Sequence, residues 1–340
     1  MAKNKFKVFG VPWHTSHQYN LAKLSFIESY DLLTNPYRSW SSEARPQPDN
    51  VNFVTHYEPG KYDFAILHLD QQAIYDPEEG QINKIARLAK GRLYYEVNKE
   101  IQDIPKIVIN HMTPFHDHIE SVDVVRVMKK MVGDNFMIVN SYTAAKQWGW
   151  GKTVTHGLEA SDWQDLPKEP RCVTVLGRGG MEKAYRRVFL HATARLLLEM
   201  KVPFYWIGND TNFRTPEEYK DFLGRSLVFF MPTWQSPRPR ARTEAMLSGC
   251  CVVSTPYQDA DTFIEDGKNG FLTSKFQITD PRVMDNPQRT AELIKRLVLD
   301  EPELALKIGQ EGKKTAKELF NFQNFEKQWV EVLKEVGVWK

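Results

Sequence analysis

Residues 172–189 read CVTVLGRGGMEKAYRRVF. A β-branched apolar run passes into a glycine turn and then into residues whose apolar positions recur at helical spacing. That order predicts a buried strand, a tight turn and a helix whose N-terminus presents backbone N–H groups and a positive dipole to an anion. Outward from it the same alternation repeats. The runs KVFGV, VNFVT, FAILHL, IVIN and MIVN occupy the first half, and CVTVL, FYWIG, LVFFM and CVVST the second. Between them lie segments such as EKAYRRVFLHATARLLLEM with a period near 3.6. Short apolar strands alternating with amphipathic helices predict an α/β protein with parallel sheets.

At 340 residues the chain exceeds one ordinary core, and two domains are expected. The polar, proline-flanked stretch over residues 152–170 is taken as the linker. Residues 1–155 then form a first Rossmann-like domain, 156–318 a second, and 319–340 a terminal helix that carries Phe322, Phe325, Trp329, Val332 and Leu333 on one stripe. A net charge of +2 offers no general attraction for nucleic acid or an anionic membrane, so any phosphate affinity must be local. Three cysteines in apolar runs suit core thiols in a reducing compartment, and no apolar run is long enough to span a membrane, so a cytoplasmic location is expected.

The glycine turn carries Gly177, with Arg178 and Lys183 placed to close on a diphosphate. A dinucleotide-binding fingerprint fails, because Glu182 stands where its third glycine belongs. GWGKT at 149–153 resembles the end of a phosphate loop, but Lys146 replaces that loop's first glycine. The strand LVFFM delivers MPTWQSPRPRA to the carboxyl edge of the same sheet, where Arg238, Arg240 and Arg242 are expected to meet an anion in part. A helix beginning RTEAMLSG follows, with Glu244 in its first turns, suited either to the helix dipole or to ribose hydroxyls.

These pieces together resemble the retaining family-four glycosyltransferases of the GT-B fold. TEAMLSGCCVVSTPYQDADTFIEDGKNGFL looks like their C-terminal signature and VLGRGGMEKA like their donor-phosphate motif. HGLEASDW, WIGND and the terminal aromatic helix agree in order. The resemblance implies two facing Rossmann-like domains with the last helix crossing back to the first. It implies a nucleotide-sugar donor, UDP favoured over GDP, bound by Gly177, Arg178, Lys183, Gly208, Ser236, Arg238, Arg240, Glu244 and Asp259, with no cofactor and no metal. The family pattern has a glutamate eight positions before Glu244, where this chain has Ser236. It also has a Gly-Gly stretch where this chain has Gln258, Asp259 and Asp261 nearby.

In the first half, FGVPWHTSHQYNLAKL brings His14, His17 and Gln18 to a helix start, with Ser16 as the expected cap. FAILHLD ends with His68 and Asp70, and IVINHMTPFHDH with His111, His116 and His118. The resemblance implies a histidine close to the transferred sugar, and His111 has that place; with Arg178 and Lys183 it forms the expected catalytic set. His14, His17, His68 and Asp70 are expected on the acceptor side. Zinc could use these side chains, but their spacing matches no standard motif. The implied reaction is retaining hexosyl transfer to a glycan or glycolipid hydroxyl. Two alternatives remain: an inactive GT-B binding protein, favoured by Ser236, and transfer to a hydroxylated DNA base, for which Trp13, Trp40, Trp148 and Trp150 would stack as exposed aromatics.

Overall fold

The structure is a computed structural model describing residues 5–34, 39–42, 45–70, 73–76, 78, 80–81, 90–115, 123–176, 186–208, 213, 215–273 and 286–339. The chain divides into two compact units, Met1–Gly157 with Phe322–Lys340, and Leu158–Asn321.

The first unit is built on a seven-stranded parallel sheet. In chain order its strands and helices are β1 (Phe6–Gly10), α1 (Thr15–Ala22), β2 (Ile27–Leu33), β3 (Val51–Val54), β4 (Phe64–Leu69), a hairpin of β5 (Tyr75–Asp76) and β6 (Gly80–Gln81), α2 (Lys90–Glu100), β7 (Lys106–Asn110), α3 (Val124–Val132), β8 (Phe136–Val139), α4 (Tyr142–Trp148) and β9 (Lys152–Thr153). The spatial order is β3-β2-β1-β4-β7-β8-β9. Side chains alternate across it as a pleat requires. Phe9, Ala65, Leu67 and Val108 pack under α2, α3 and α4, while Val8, Ile66, Ile107 and Ile138 pack under α1 and the terminal helix. The residues expected as linker begin inside this sheet, because β9 pairs with β8.

The second unit holds β10 (Glu169–Val175), α5 (Arg187–Glu199), β11 (Phe204–Ile207), α6 (Pro216–Arg225), β12 (Ser226–Met231), α7 (Arg240–Leu247), β13 (Cys251–Ser254), α8 (Ala260–Phe263), β14 (Phe271–Leu272), α9 (Pro287–Lys295) running on as a π-helical turn, and α10 (Pro302–Leu319). Its parallel sheet has the order β11-β10-β12-β13-β14. Cys172, Val228, Phe230, Cys251 and Val253 face α5, α9 and α10; Val173, Phe229, Met231 and Val252 face α7 and α8. All three cysteines are buried and unbridged, and burial raises each thiol pKa, Cys250 to about 11. Gly309 lets α10 lie against the Gly249 carbonyl, where a Cβ would collide with backbone. After α10 the chain enters α11 (Phe322–Glu335), whose Phe325, Trp329, Val332 and Leu333 join the core of the first unit.

Candidate active site

In each sheet the chain order reverses once, between β1 and β4 in the first unit and between β10 and β12 in the second. Parallel sheets open a crevice at the carboxyl ends of strands on either side of such a reversal, so each unit has one place where ligands are expected.

In the first unit that place is occupied by histidines. His68 lies on β4 two residues beyond Ile66, so it shares the sheet face on which α1 packs. The first turn of α1 supplies His17, and the two imidazoles stand edge to face at 5.9 Å. His111 follows β7 directly, its N–H bonded to the Leu69 carbonyl at 2.8 Å. The His68 Nδ1 and His111 Nε2 atoms are 2.9 Å apart, with the rings nearly parallel at 6°. His111 Nδ1 is 3.2 Å from the Asn140 amide nitrogen at the end of β8. His14 and His17 both set ring edges against His111, at 4.6 and 5.1 Å. One ring nitrogen from each of His17, His68 and His111 lies within 4.8 Å of the others. Burial, reinforced by neighbouring His17 and His14, pushes the His68 pKa well below the usual imidazole value. His111 is lowered in the same way by burial and then by His14, His68 and Lys90. The His68 and His111 rings are therefore held toward their neutral form.

Asp70, just past β4, is buried and bonded to the Trp13 indole at 3.0 Å and the Lys90 ammonium at 3.3 Å, with His14 Nε2 at 3.9 Å. Lys90 and Asn140 are site neighbours that sequence reasoning missed. Asn140 could have been found as the polar end of the strand MIVN, whereas nothing in the sequence marks Lys90 among its neighbouring basic residues. Ser16 is not the helix cap: α1 begins after His14, which makes no side-chain capping bond, and Gln18 instead accepts from the Trp13 N–H at 2.8 Å. Trp13 and Trp148 are 2% exposed, packed in the core, so they offer no face to a base. Trp40 and Trp150 are partly buried against cores.

In the second unit the loops after β12 and β13 are fastened to each other. Arg238 Nη2 donates to Asp259 Oδ2 at 2.9 Å, and Gln258 Nε2 to Gln235 Oε1 at 3.1 Å. Thr233 N–H bonds Thr255 Oγ1 at 2.7 Å. Arg242 is fully buried; its Nη1 reaches Thr233 Oγ1 and Ser254 Oγ, both at 3.2 Å, and its guanidinium lies 5.1 Å from the Phe263 ring centre. Burial lowers its pKa to about 9, so it stays charged at neutral pH. Arg238 and Arg242 are thus drawn into the protein, so of the three arginines expected to meet an anion in part, these two are engaged by the protein's own groups. Helix α7 also begins two residues earlier than expected, at Arg240. Arg238, Gln258 and Asp259 have φ of 41°, 52° and 65°. Such left-handed residues cost about 1–3 kcal/mol each and cluster where surroundings hold a functional loop in shape. The Arg238–Asp259 pair joins two of them.

Glu244, on α7, is buried. Its Oε2 accepts from Tyr219 Oη at 2.9 Å and its Oε1 lies 3.9 Å from Arg240 Nε. Tyr219, on α6, was not foreseen. Ser236 sits half-buried in the β12 loop, and Gly208 closes β11 with φ of 89°, which an L side chain rarely adopts. Gly177, Arg178 and Lys183 lie outside the described residues, as do His116 and His118. A groove of about 890 Å³ in the first unit involves Lys106, Phe136 and Lys152, at the amino ends of its strands, opposite the ligand edge.

Residues 173–315 match the family model described as glycosyl transferases group 1. The match falls within the second unit, which is similar to a group 1 glycosyltransferase domain. The fold of the whole chain is GT-B, as in HepE of Anabaena in complex with UDP-glucose: 15% identity, TM-score 0.65, covering 97% of this chain and 100% of that one. Sucrose-phosphate synthase of Thermosynechococcus elongatus matches at 12% identity and TM-score 0.64 over 97% and 99% of the two chains. A glycosyltransferase of Rickettsia africae matches at 12% and 0.61 over 98% and 99%. At such identities the likeness is one of fold. No match was found among curated proteins. Among the described residues no helix is long and apolar enough to cross a membrane.

Proposed function

We propose that this glycosyltransferase moves a hexosyl group from a UDP-sugar to a hydroxyl of a glycan or glycolipid intermediate, in the cytoplasm, with retention of configuration and without a cofactor. The bond between the anomeric carbon and the diphosphate oxygen breaks and UDP leaves with the electron pair. The acceptor oxygen bonds the same carbon from the same face and passes its proton to the departing diphosphate. In this reading Gly177, Arg178 and Lys183 hold the diphosphate, and Glu244 the ribose. His111 lies by the transferred sugar, and His14, His17, His68 and Asp70 serve the acceptor. The complexes of HepE with UDP-glucose and with UDP and glucose support a UDP-sugar by analogy.

The observation that carries the proposal is Glu244: a buried carboxylate oriented by Tyr219 at the ligand edge of a group 1 domain. A carboxylate has about four lone-pair sites, so one oriented by Tyr219 can serve as an acceptor for ribose as well. Glu244→Gln should weaken UDP binding by about 10-fold or more, at an unchanged melting temperature, because an amide accepts less strongly. Titration calorimetry with UDP and GDP, followed by NMR of the product's anomeric proton, tests both donor and retention. Equal affinity of variant and parent for UDP rejects the assignment of Glu244, and an inverted product rejects retention.

A further inference from the structure

We propose that Arg242 offers one edge of its guanidinium to an oxyanion of the donor, either a carboxylate on the transferred sugar or the diphosphate itself. The side chain is fully buried on α7 and reaches the carboxyl ends of β12 and β13. Among the described residues it hydrogen-bonds only through Nη1, to the hydroxyls of Thr233 and Ser254, both at 3.2 Å. Those groups are themselves fixed: Ser254 Oγ donates to the Met231 carbonyl at 2.9 Å, and the Thr233 N–H bonds Thr255 Oγ1 at 2.7 Å. Nε and Nη2 are buried without a hydrogen-bond partner among the described residues.

These two nitrogens form a pair. In a planar guanidinium the Nε–H and one Nη2–H point the same way from one edge, and that fork takes two oxygens of a carboxylate or phosphate at once. The protein uses Nη1, which lies outside that edge. Charge points to the same ligand. Arg242 keeps its charge at neutral pH, and the carboxylate that acts on it, Asp259, is bonded to Arg238 at 2.9 Å. Both guanidinium groups lie near the Phe263 ring, at 5.1 Å for Arg242 and 5.7 Å for Arg238. Two buried cations that share one carboxylate are costly, and an oxyanion on the Nε–Nη2 edge supplies the second counter-charge. The place suits a donor group, because β12 and β13 end at the edge of the sheet where ligands gather. That edge of Arg242 is closed to solvent, so the oxyanion enters by parting the side-chain links between the two loops, Arg238 with Asp259 and Gln258 with Gln235.

The inference rests on the UDP-sugar reading for the identity of the donor. Titration calorimetry of the full chain with UDP, UDP-glucose, UDP-glucuronate and pyrophosphate tests it, in the parent and in Arg242→Lys, which keeps the charge and loses the fork. The variant should bind about 10-fold or more weakly, as expected for loss of a charge-assisted hydrogen bond. A loss shared by all four ligands identifies the diphosphate as the bound group. A loss confined to UDP-glucuronate, with that donor preferred by the parent, identifies the carboxylate. A folded variant that matches the parent for all four overturns the proposal and leaves the donor reading intact. A parent that binds pyrophosphate but no UDP compound rejects the donor reading, and pyrophosphate alone then tests Arg242. A parent that binds none of the four rejects both. A structure of the parent with UDP-glucuronate bound, in which no carboxylate or phosphate oxygen lies within hydrogen-bond reach of Arg242 Nε or Nη2, overturns the proposal without any variant.

Discussion

At His68, strand alternation and helix packing combine to place an imidazole where water does not reach. Its folded pKa is depressed, as is that of His111, and the unfolded value is about 6.5. Below that value the unfolded chain binds protons that the folded one refuses. These two groups therefore contribute stability that is fully present above about pH 6.5 and is lost as pH falls from there toward their folded pKa values. Urea unfolding midpoints at about pH 7.5, 6.5 and 5.5 should fall with pH in the parent protein, and fall less steeply in His68→Gln. Equal slopes would mean that His68 does not enter the fold as a neutral base. The second unit shows a different residue-level device. Arg238 and Asp259 hold each other at 2.9 Å in the interior, and a pair of this kind is destabilising to break because it leaves one charge uncompensated. Its evident use is to keep three residues in a backbone shape that glycine would adopt freely.

Among the elements, α11 ties the end of the chain to its beginning. The stripe Phe325, Trp329, Val332 and Leu333 was legible from its helical period alone, but the surface it covers was not. The helix buries that stripe against Val8, Ile66, Ile107 and Ile138, and Gln328 accepts from the Thr155 N–H at 2.9 Å. Trp329 is fully buried, so Trp329→Ala should destabilise the first unit by about 3–5 kcal/mol through lost contacts and a residual cavity. Its indole N–H has no partner among the described residues. Trp329→Phe should therefore cost clearly less, since it removes an unsatisfied donor along with part of the ring. Thermal or urea unfolding of both variants decides this. A phenylalanine variant as unstable as the alanine one would show that the indole N–H does find a partner.

For the whole molecule, the two units differ in how the chain builds them. The second is one continuous segment with sheet, helices and both cores inside Leu158–Asn321, while the first needs Phe322–Lys340 to close one of its faces. Residues 158–321 expressed alone should fold cooperatively, and UDP at 100 times its Kd should add about 2.7 kcal/mol. Residues 1–157 alone should be unfolded or aggregate, because the face lined by Val8, Ile66 and Ile109 is left bare. Circular dichroism and calorimetry of the two fragments check this; a stable 1–157 fragment refutes the dependence on α11. The α/β class, the main strands and the terminal amphipathic helix were readable from sequence because period and β-branching are local properties of consecutive residues. So were the polar residues at parallel-strand ends, His68, Asp70 and His111 among them. Tertiary structure alone decided that Trp13 and Trp148 are core, that Arg238 and Arg242 are turned inward, that Asp259 is their counter-charge, and that three histidines from separate strands and a helix share one small volume. Those outcomes depend on which faces meet across the sheet, and residues separated by dozens of positions carry no periodic signal of that meeting.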